Sequence, residues 1–315
     1  MRRTSLISTC VAGAAALCAG LTLAAPAQAA APAARPAAHQ DWVSTGTGMT
    51  SGVSGMVVTG RHGDRIRALV VRDNKKPGEN RLARTEYVPG KTAHVEPLDW
   101  RGDDLPVDLE AIDRVPGHPG SYVAVASAGT GYRIDVEGRT ARVRDTFTLP
   151  GLGEDDNVEN FALSARDGKL VAVWADRGQD SRPATVYAAR ASFTGDDTGF
   201  GAVTRRTLRT PYPTTHVRHA SDLKITESGR LLVSAASDPG DDGPFASAVL
   251  DAGRVHAGAD GTVSLHIAGS PRVLGTFEGH KVEALSCLPH SRWGVLGTDD
   301  ENAGGALRTA RFCTR

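Results

Sequence analysis

The chain has 315 residues, of which 36 are basic and 36 acidic, so its formal net charge at pH 7 is zero. A nucleic-acid-binding protein would carry a basic excess or a basic stripe, so this balance argues against a nucleic-acid partner. About 275 residues follow position 40, which is long for one compact core but ordinary for a single all-β domain.

The first 29 residues have the composition of an export signal. Arg2 and Arg3 are followed by an uncharged apolar stretch, and Ala-Gln-Ala at 27–29 fits a small-residue cleavage site. A membrane anchor is the alternative, but the stretch is rich in alanine and ends in the cleavage motif. The arginine pair also leaves the twin-arginine route open beside the general secretory route, although Ser5 stands where that motif prefers an apolar residue.

We therefore predict a secreted, extracellular protein without a membrane span. Residues 1–29 are the predicted signal peptide, and residues 30–40 are an Ala/Pro-rich, disordered leader. Residues 41–315 are predicted to form one folded domain, because no linker interrupts them. We expect the mature protein to be a monomer.

Short strands dominate this domain. Runs rich in valine, leucine and alanine, bounded by glycine, aspartate and proline, are typical of strands. They lie at 67–73, 121–127, 169–175, 230–237 and 292–298. No stretch sustains the 3.6-residue period of a helix over three turns.

The strands belong to five internal repeats, and each repeat begins with a strand that has a polar residue near its start. The polar residues are Ser54, Glu110, Glu159, Ser221 or Asp222, and Glu283. The register of the fourth repeat is open by one residue, and such a slip would send every side chain to the opposite face. The alternation of apolar residues favours Ser221 over Asp222.

A second polar position lies at the end of the second strand of each repeat. It is 17 residues after the first position in four repeats and 19 residues after it in the first repeat, where the hairpin turn is longer. The residues are Asp73, Ser127, Asp176, Asp238 and either Asp299 or Asp300.

Each repeat then continues with further outer strands. Four antiparallel strands in each of five repeats of about 50–63 residues are the sequence pattern of a β-propeller. The fifth repeat ends after its third strand, whereas WVSTG at 42–46 precedes the first repeat without a blade of its own. We therefore predict an all-β propeller of five four-stranded blades, whose ring is closed by this N-terminal strand.

Two cysteines, Cys287 and Cys313, follow the predicted signal peptide. In an exported protein they favour one disulfide, and two buried thiols are the alternative. The bridge would tie the C-terminal strand into the closing blade.

The polar positions should converge on one mouth of the central channel. The first strand of each propeller blade lines the channel, and its start lies beside the end of the antiparallel second strand. Close carboxylates repel one another, so we expect a hard cation such as Ca²⁺, or neighbouring basic and backbone N–H groups, to compensate them. A structural alternative is that each acid binds the backbone of the next blade. The predicted metal ligands are Asp73, Glu110, Glu159, Asp176, Asp238, Glu283, Asp299 and Asp300.

Basic residues follow the second strands of two repeats at this same mouth. They are Lys75 and Lys76 in the first repeat, and Arg177 and Arg182 in the third. We predict that these four side chains hold an anionic substrate.

Three side chains are candidates for proton transfer in catalysis. They are Glu110 and Glu159, which are also predicted metal ligands, and His219. His219 and His216 enter the fourth repeat on this side, and surface histidines are the alternative interpretation. The sequence has no Walker loop, no nucleophile elbow and no zinc-protease motif.

The strand-one motifs resemble the phytase-like β-propeller family, which is associated with esterase-like activity. The stretches that carry the resemblance are SGVSGMVV at 51–58, DLEAIDRV at 108–115, VENFALSARDG at 158–168, ASDLKITESG at 220–229 and KVEALSCLPHS at 281–291. The resemblance implies a propeller and points to Ser54, Asp73, Asn74, Glu110, Glu159, Asp222, Glu283, Asp299 and Asn302 as the matching positions.

Together these observations predict a metal-assisted hydrolase of small phosphoesters or carboxylic esters. A bound cation would hold the substrate oxygens and lower the pKa of an attacking water. The alternative is a non-catalytic propeller that binds an extracellular ligand or protein around a structural cation.

Overall fold

The computed structural model describes residues 41–166 and 168–313. The predicted signal peptide and leader lie outside the described residues. In the described ranges nearly all regular structure is β-strand, with two short 3-10 segments at Met49–Ser51 and Glu301–Ala303. Within the same ranges, no helix has the length and apolar character needed to cross a membrane.

The strands form five separate sheets, which are the predicted blades. The first strand, β1 (Val43–Gly46), belongs to blade five. Blade one consists of β2 (Gly55–His62), β3 (Arg65–Val71), β4 (Leu82–Val88) and β5 (Thr92–Pro97). Blade two consists of β6 (Asp99–Arg101), β7 (Leu109–Arg114), β8 (Ser121–Ala126), β9 (Thr130–Glu137) and β10 (Thr140–Thr148).

The remaining blades follow in chain order. Blade three consists of β11 (Val158–Arg166), β12 (Lys169–Asp176), β13 (Ala184–Thr194), β14 (Asp197–Phe200) and β15 (Thr204–Leu208). Blade four consists of β16 (Val217–Ile225), β17 (Arg230–Ser237), β18 (Ala246–Ala257) and β19 (Val263–Glu278). Blade five consists of β20 (Val282–Cys287), β21 (Gly294–Thr298), β22 (Gly305–Ala310) and β1.

The five inner strands form a closed ring. Each of β2, β7, β11, β16 and β20 contacts the next one in this order, and β20 contacts β2. Within each blade the inner three strands lie antiparallel in sequence order from the axis outward. The predicted all-β, five-bladed propeller is therefore confirmed.

Two blades have more than the four predicted strands. In blade two, β6 adds a short outer strand parallel to β10. In blade three, β13 is long enough to pair with β14 along one half and β15 along the other. Both additions cover an outer edge that would otherwise present unpaired backbone groups.

The N-terminal strand completes the outer side of blade five. β1 pairs antiparallel with β22, with Val43 opposite Leu307. In the same blade Cys287 and Cys313 form a disulfide with a Cα–Cα distance of 5.7 Å. Both ends of the described chain are thus held in one sheet, which is the arrangement predicted from the incomplete fifth repeat.

Apolar side chains fill the space between neighbouring blades. Between blades two and three, Trp174 is fully buried and stacks on Tyr187 at a ring distance of 5.8 Å. Phe161 and Val125 belong to the same cluster. This packing fixes the angle between blades and leaves the starts of the inner strands facing the axis.

Candidate active site at the channel mouth

A β-bulge aims a glutamate at the axis in three of the five inner strands. The register skips Glu110 between Leu109 and Ala111, and it skips Glu159 and Glu283 in the same way. A bulge adds one unpaired residue to a strand and redirects its side chain. The repeated polar position is therefore a repeated backbone irregularity. We call the end of the channel at which these residues lie the channel mouth.

The bulge changes one predicted pairing. Asp176 lies opposite Val158 in the β11–β12 ladder, not opposite Glu159. Asp176 instead accepts two hydrogen bonds from Arg182, at 2.5 and 3.2 Å, and further ones from the backbone N–H groups of Asn157 and Gly178. Glu159 and Asp176 are therefore not opposite each other in the ladder, and each carboxylate has arginine partners of its own.

Arg218 is the central cation of the mouth, and the sequence analysis missed it. Its Nη1 lies 3.0 Å from Glu159 Oε1 and 3.5 Å from Glu283 Oε1, and its Nη2 binds Asp238. Burial opposes the charge of this guanidinium, but the carboxylates of Glu159, Glu283, Asp238 and Glu110 outweigh it and raise the pKa of Arg218. The sequence does contain a signal for Arg218: it is a basic residue three positions before Ser221, where the other repeats bring acids to the channel.

Glu159 is held by two arginines through one oxygen. Arg177 Nη1 and Arg218 Nη1 each lie 3.0 Å from Oε1. The other oxygen, Oε2, is buried and has no hydrogen-bond partner among the described residues. The two arginines therefore fix one carboxylate oxygen of Glu159, and the other oxygen is left without a partner.

Glu110 has the opposite surroundings. It is half-buried, and in the part of the chain that the structure describes its carboxyl group has neither a hydrogen bond nor an ion pair. Burial raises its pKa well above the ordinary value, and the charges of Glu159, Asp108, Glu283 and Asp73 raise it further. The proton of Glu110 is therefore held to higher pH than that of an ordinary glutamate.

Blades one and two add two acids and one lysine beside Glu110. Asp108 accepts a hydrogen bond from Ser127 Oγ at 2.6 Å, and its Oδ1 lies 3.1 Å from Lys75 Nζ. Burial raises the pKa of Asp73, and the neighbouring Asp108 contributes to the rise.

Blade five contributes a buried lysine, Lys281, which the sequence analysis also missed. Its Nζ lies 3.3 Å from Glu283 Oε1 and also binds Glu301. Burial raises the pKa of Asp299 to about 7, although the charge of Lys281 opposes this rise. Asp300 accepts hydrogen bonds from His280 Nδ1 at 2.7 Å and from the backbone N–H of Lys281 at 2.6 Å.

The four basic residues predicted to hold an anionic substrate are not free to do so as a group. Lys75 pairs with Asp108, Arg177 with Glu159, and Arg182 with Asp176. Lys76 is exposed, and its backbone N–H donates to Glu79. Acids outnumber bases at the mouth, so its arginines neutralise the protein's own carboxylates first.

His219 is a structural residue and not a member of the mouth. It is buried, and its Nε2 lies 2.9 Å from the carbonyl oxygen of Asp180 while its Nδ1 accepts the backbone N–H of Thr210 at 3.2 Å. Burial lowers its pKa. Both ring nitrogens are therefore engaged by backbone groups, and its role as a catalytic proton carrier stays a prediction.

The contacts of blade four favour Ser221 as the residue equivalent to the glutamates. The backbone N–H of Ala220 donates to Arg177 of the preceding blade, as that of Val158 donates to Ser127. Asp222 is fully buried and accepts the backbone N–H of Leu285 at 2.7 Å. Asp222 therefore joins blades four and five.

The predicted calcium ligands are not gathered into a cation site. Among the described residues, no group of three or more histidine, cysteine, aspartate or glutamate side chains is arranged to hold a metal ion. Arginine, lysine or backbone N–H groups bind at least one carboxylate oxygen in six of the eight predicted ligands, all but Asp73 and Glu110. The predicted set was Asp73, Glu110, Glu159, Asp176, Asp238, Glu283, Asp299 and Asp300.

Comparisons with known proteins find structural likeness without sequence likeness. No family model and no curated protein matches the chain. A GH43 β-1,3-galactosidase with galactodeoxynojirimycin is 9% identical at a TM-score of 0.48, over 85% of this chain and 94% of that one. An α-L-arabinanase of Penicillium chrysogenum with arabinobiose is 12% identical at a TM-score of 0.44, over 87% of this chain and 99% of that one. An α-L-arabinofuranosidase of Podospora anserina with cellotriose is 10% identical at a TM-score of 0.48, over 86% of this chain and 96% of that one. Likeness at this level carries no conclusion about the function of this chain.

The resemblance to the phytase-like family is wrong. No family model matches the chain, so no match to a phytase-like model supports it. The predicted metal-assisted hydrolysis of phosphoesters or esters is wrong with it, and an acid-rich mouth would also repel an anionic phosphoester. The alternative of a non-catalytic module around a structural cation gains no support, since the described residues form no cation site.

Proposed function

We propose that the protein is an exported glycoside hydrolase that uses Glu110 as its general acid and Glu159 as its anionic partner. The observation that carries this proposal is the contrast between two equivalent glutamates in neighbouring blades. The pKa of Glu110 is raised by burial and by the surrounding carboxylates, while Glu159 is bound by Arg177 and Arg218. Glycoside hydrolysis requires such a pair, one carboxyl group protonated and the other ionised.

The two carboxyl groups would act on opposite sides of one bond. Glu110 gives its proton to the glycosidic oxygen as the bond from this oxygen to the anomeric carbon breaks. Glu159 Oε2 stabilises the positive charge that develops at that carbon and accepts a proton from the attacking water. Solvent then returns a proton to Glu110 and removes one from Glu159, which restores the resting state.

The arginines act by positioning Glu159 and by keeping it ionised. Arg218 also binds Asp238 and lies near Glu283, so its guanidinium is fixed from three sides. A fixed cation holds Glu159 Oε1, which leaves Oε2 as the carboxylate oxygen without a hydrogen-bond partner among the described residues. An acetal substrate carries no charge, so the excess of acids at the mouth does not repel it.

We further propose that the protein acts outside the cell on a glycan substrate. The export signal expected at residues 1–29 and the Cys287–Cys313 disulfide both agree with an oxidising compartment.

The experiment that tests the proposal is a glycosidase assay with variants at the two glutamates. The full chain is incubated with a panel of p-nitrophenyl glycosides and with oligosaccharides, and released p-nitrophenol and reducing ends are measured. On the glycoside that the wild type cleaves, Glu110→Gln and Glu159→Gln should each lower kcat by about 10²–10⁴-fold. Asp64→Asn, in the exposed β2–β3 turn at the other end of the channel, is the matched control and should leave kcat unchanged.

Two results would contradict the proposal. One is the absence of cleavage across the whole panel by a folded wild-type protein. The other is a Glu110→Gln variant that cleaves a natural oligosaccharide as fast as the wild type. p-Nitrophenyl phosphate and p-nitrophenyl acetate belong in the same panel, and we expect no turnover of either.

A further inference from the structure

Blade one carries several arginines on the face that it turns towards blade two, near the end of the channel opposite the mouth. Side chains alternate between the two faces along β3, so Arg65 and Arg67 share a face with Leu69. Leu69 belongs to the same buried cluster as Ile112 of blade two. The arginines therefore continue this inter-blade face from the buried core to the surface.

A cleft of about 630 Å³ opens on this flank of blade one. Arg61 and His62 at the end of β2, Arg67 on β3 and Arg84 on β4 contribute to its lining. Arg67 lies opposite Gly60 of β2, and a Cβ atom at Gly60 would meet nothing within 4 Å. The floor of the cleft between these side chains is therefore open to a ligand.

Each of the two glutamates in the cleft is shared by two arginines. The pairs are Glu86 with Arg65 and Arg67, and Glu96 with Arg84 and Arg139 of the β9–β10 turn. In the part of the chain that the structure describes, Arg61 makes no ion pair, and its Nε donates to the carbonyl oxygen of Gly63 at 2.8 Å. The five arginines and two glutamates together form what we call the arginine cleft, and its positive charges exceed its negative ones.

The ion pairs leave these arginines available to a ligand. The side chains of Arg65, Arg67 and Arg139 are 51%, 60% and 63% exposed, and exposed ion pairs contribute little to stability. Each guanidinium group has five N–H donors, of which one carboxylate oxygen uses only a few. Further anionic groups can therefore bind here without breaking a buried contact.

We propose that the arginine cleft binds an acidic polysaccharide through the carboxylate groups of its uronic acid residues. The planar fork of a guanidinium group matches a carboxylate, which makes arginine the preferred residue for such pairs. Hydroxyl groups of the same sugar rings can donate to Glu86 and Glu96. The site lies away from the channel mouth, and the proposal does not depend on the proposed hydrolysis.

Other anionic partners fit the observations less well. The chain as a whole has a formal net charge of zero, whereas a nucleic-acid-binding domain carries a general basic excess. A surface that binds anionic membranes also inserts apolar side chains, and none of the exposed large apolar side chains among the described residues lines the cleft. Those side chains are Met49, Leu105, Val107 and Val203.

The test compares two tetrasaccharides that differ only in charge. Tetragalacturonate and its full methyl ester are titrated into the full chain by isothermal calorimetry at low and at high salt. The acid should bind at least about tenfold more tightly than the ester, as hydrogen bonds to charged groups provide. High salt should reduce this difference, because it screens exposed charges.

Two double variants with the same change of charge locate the site. Arg61→Gln with Arg67→Gln should weaken the binding of tetragalacturonate by at least about tenfold. Arg205→Gln with Arg206→Gln, at exposed positions on β15 of blade three, should leave the affinity unchanged. All four arginines stand at exposed positions, so we expect both variants to fold.

A gain of affinity provides the complementary test. Glu86→Gln removes the acid that Arg65 and Arg67 share, so it should strengthen the binding of tetragalacturonate and leave that of the ester unchanged. A misfolded protein would not bind more tightly. Weaker binding by this variant would contradict the proposal, because it would mean that the ligand does not compete with Glu86.

Three further results would overturn the proposal. The first is equal affinity for the acid and the ester. The second is an equal effect of the two double variants. The third is a short DNA duplex, or vesicles of phosphatidylglycerol, that bind as tightly as tetragalacturonate at the same salt, because the cleft would then bind a phosphate polyanion or a membrane and not an acidic sugar.

Discussion

Glu110 and Glu159 occupy equivalent positions in neighbouring blades, yet the chain surrounds them differently. Two arginines reach Glu159, whereas the carboxyl group of Glu110 makes no hydrogen bond or ion pair among the described residues. The same residue type can therefore serve as an acid at one position and as an anion at the other. The proposed chemistry of the mouth depends on this contrast and not on the number of acids.

The raised pKa of Glu110 predicts a pH-dependent cost in stability. The unfolded chain loses this proton near the ordinary value of 4.5, whereas the folded chain keeps it to higher pH. The contribution of Glu110 to stability is therefore fully present below about pH 4.5 and is lost as the pH rises through the raised value. Glu110→Gln cannot ionise, so its Tm should exceed that of the wild type at about pH 7.5. The difference should be roughly 2–4 °C for each kcal/mol of unfolding free energy that the raised pKa costs the wild type.

Scanning calorimetry at two pH values checks this prediction. At about pH 4 both proteins carry a neutral group at position 110, so the difference in Tm should disappear. Asp64→Asn is exposed and should show no such difference. A Glu110→Gln variant that is less stable than the wild type at neutral pH would mean that the carboxylate has a favourable partner.

His219 provides the opposite test, because its contacts are structural. His219→Gln should lower the free energy of unfolding by about 1–3 kcal/mol, since the backbone groups of Thr210 and Asp180 lose well-placed partners of the buried ring. Its kcat/KM on the glycoside that the wild type cleaves should stay within about threefold of the wild-type value. Urea denaturation and initial rates measure the two quantities. A loss of activity without a loss of stability would indicate that His219 takes part in catalysis.

At the residue scale the sequence identified the acids but not their partners. Glu110, Glu159 and Glu283 were found because they repeat along the chain. Arg218 and Lys281 were missed because each occurs in one blade only. A contact formed by two blades has no periodic signal, so the sequence alone cannot assign which acid receives a cation.

At the scale of single elements, the bulges and one close approach between strands set the position of Glu110. Gly55 at the start of β2 faces the bulge on β7, and a Cβ atom at Gly55 would lie 2.5 Å from the carbonyl oxygen of Glu110. The absence of a side chain therefore lets blades one and two approach each other at the level of Glu110. A single glycine in the sequence does not show how closely two strands approach each other.

Gly55→Ala tests the close approach. The added methyl group must push β2 away from β7, so we expect a loss of about 1–3 kcal/mol in the free energy of unfolding and a lower kcat. Gly60→Ala is the matched control on the same strand, because a Cβ atom there meets nothing within 4 Å. Chemical denaturation of both variants decides the matter. Equal stability of the two would show that the blades tolerate the separation.

At the scale of the whole molecule, both ends of the described chain meet in blade five. β1 supplies the outer strand and the Cys287–Cys313 bridge ties the last described residue to the inner strand. The propeller could be predicted because its strand pattern, its turns and its unfinished fifth repeat are all local or periodic features. The extra strands β6 and β14 were not predicted, since short outer strands carry little pattern of their own.

The disulfide should contribute to this closure. It links residues 26 positions apart, so the double variant Cys287→Ser, Cys313→Ser should lose about 2–4 kcal/mol in the free energy of unfolding. Activity should persist below the lowered melting temperature, because the bridge lies in one blade and away from Glu110. An unchanged denaturation midpoint would show that the β1–β22 pairing alone holds the ring.

The most direct test of the central claim is the dependence of Glu110→Gln activity on the leaving group. A 2,4-dinitrophenolate leaves without a proton, whereas an alkyl or sugar alcohol requires one from the general acid. On the sugar that the wild type cleaves, the variant should retain dinitrophenyl glycoside hydrolysis within about tenfold of wild type. It should lose about 10²–10⁴-fold on the oligosaccharide. An equal loss on both substrates, or no loss on either, would contradict the assignment of Glu110 as the general acid.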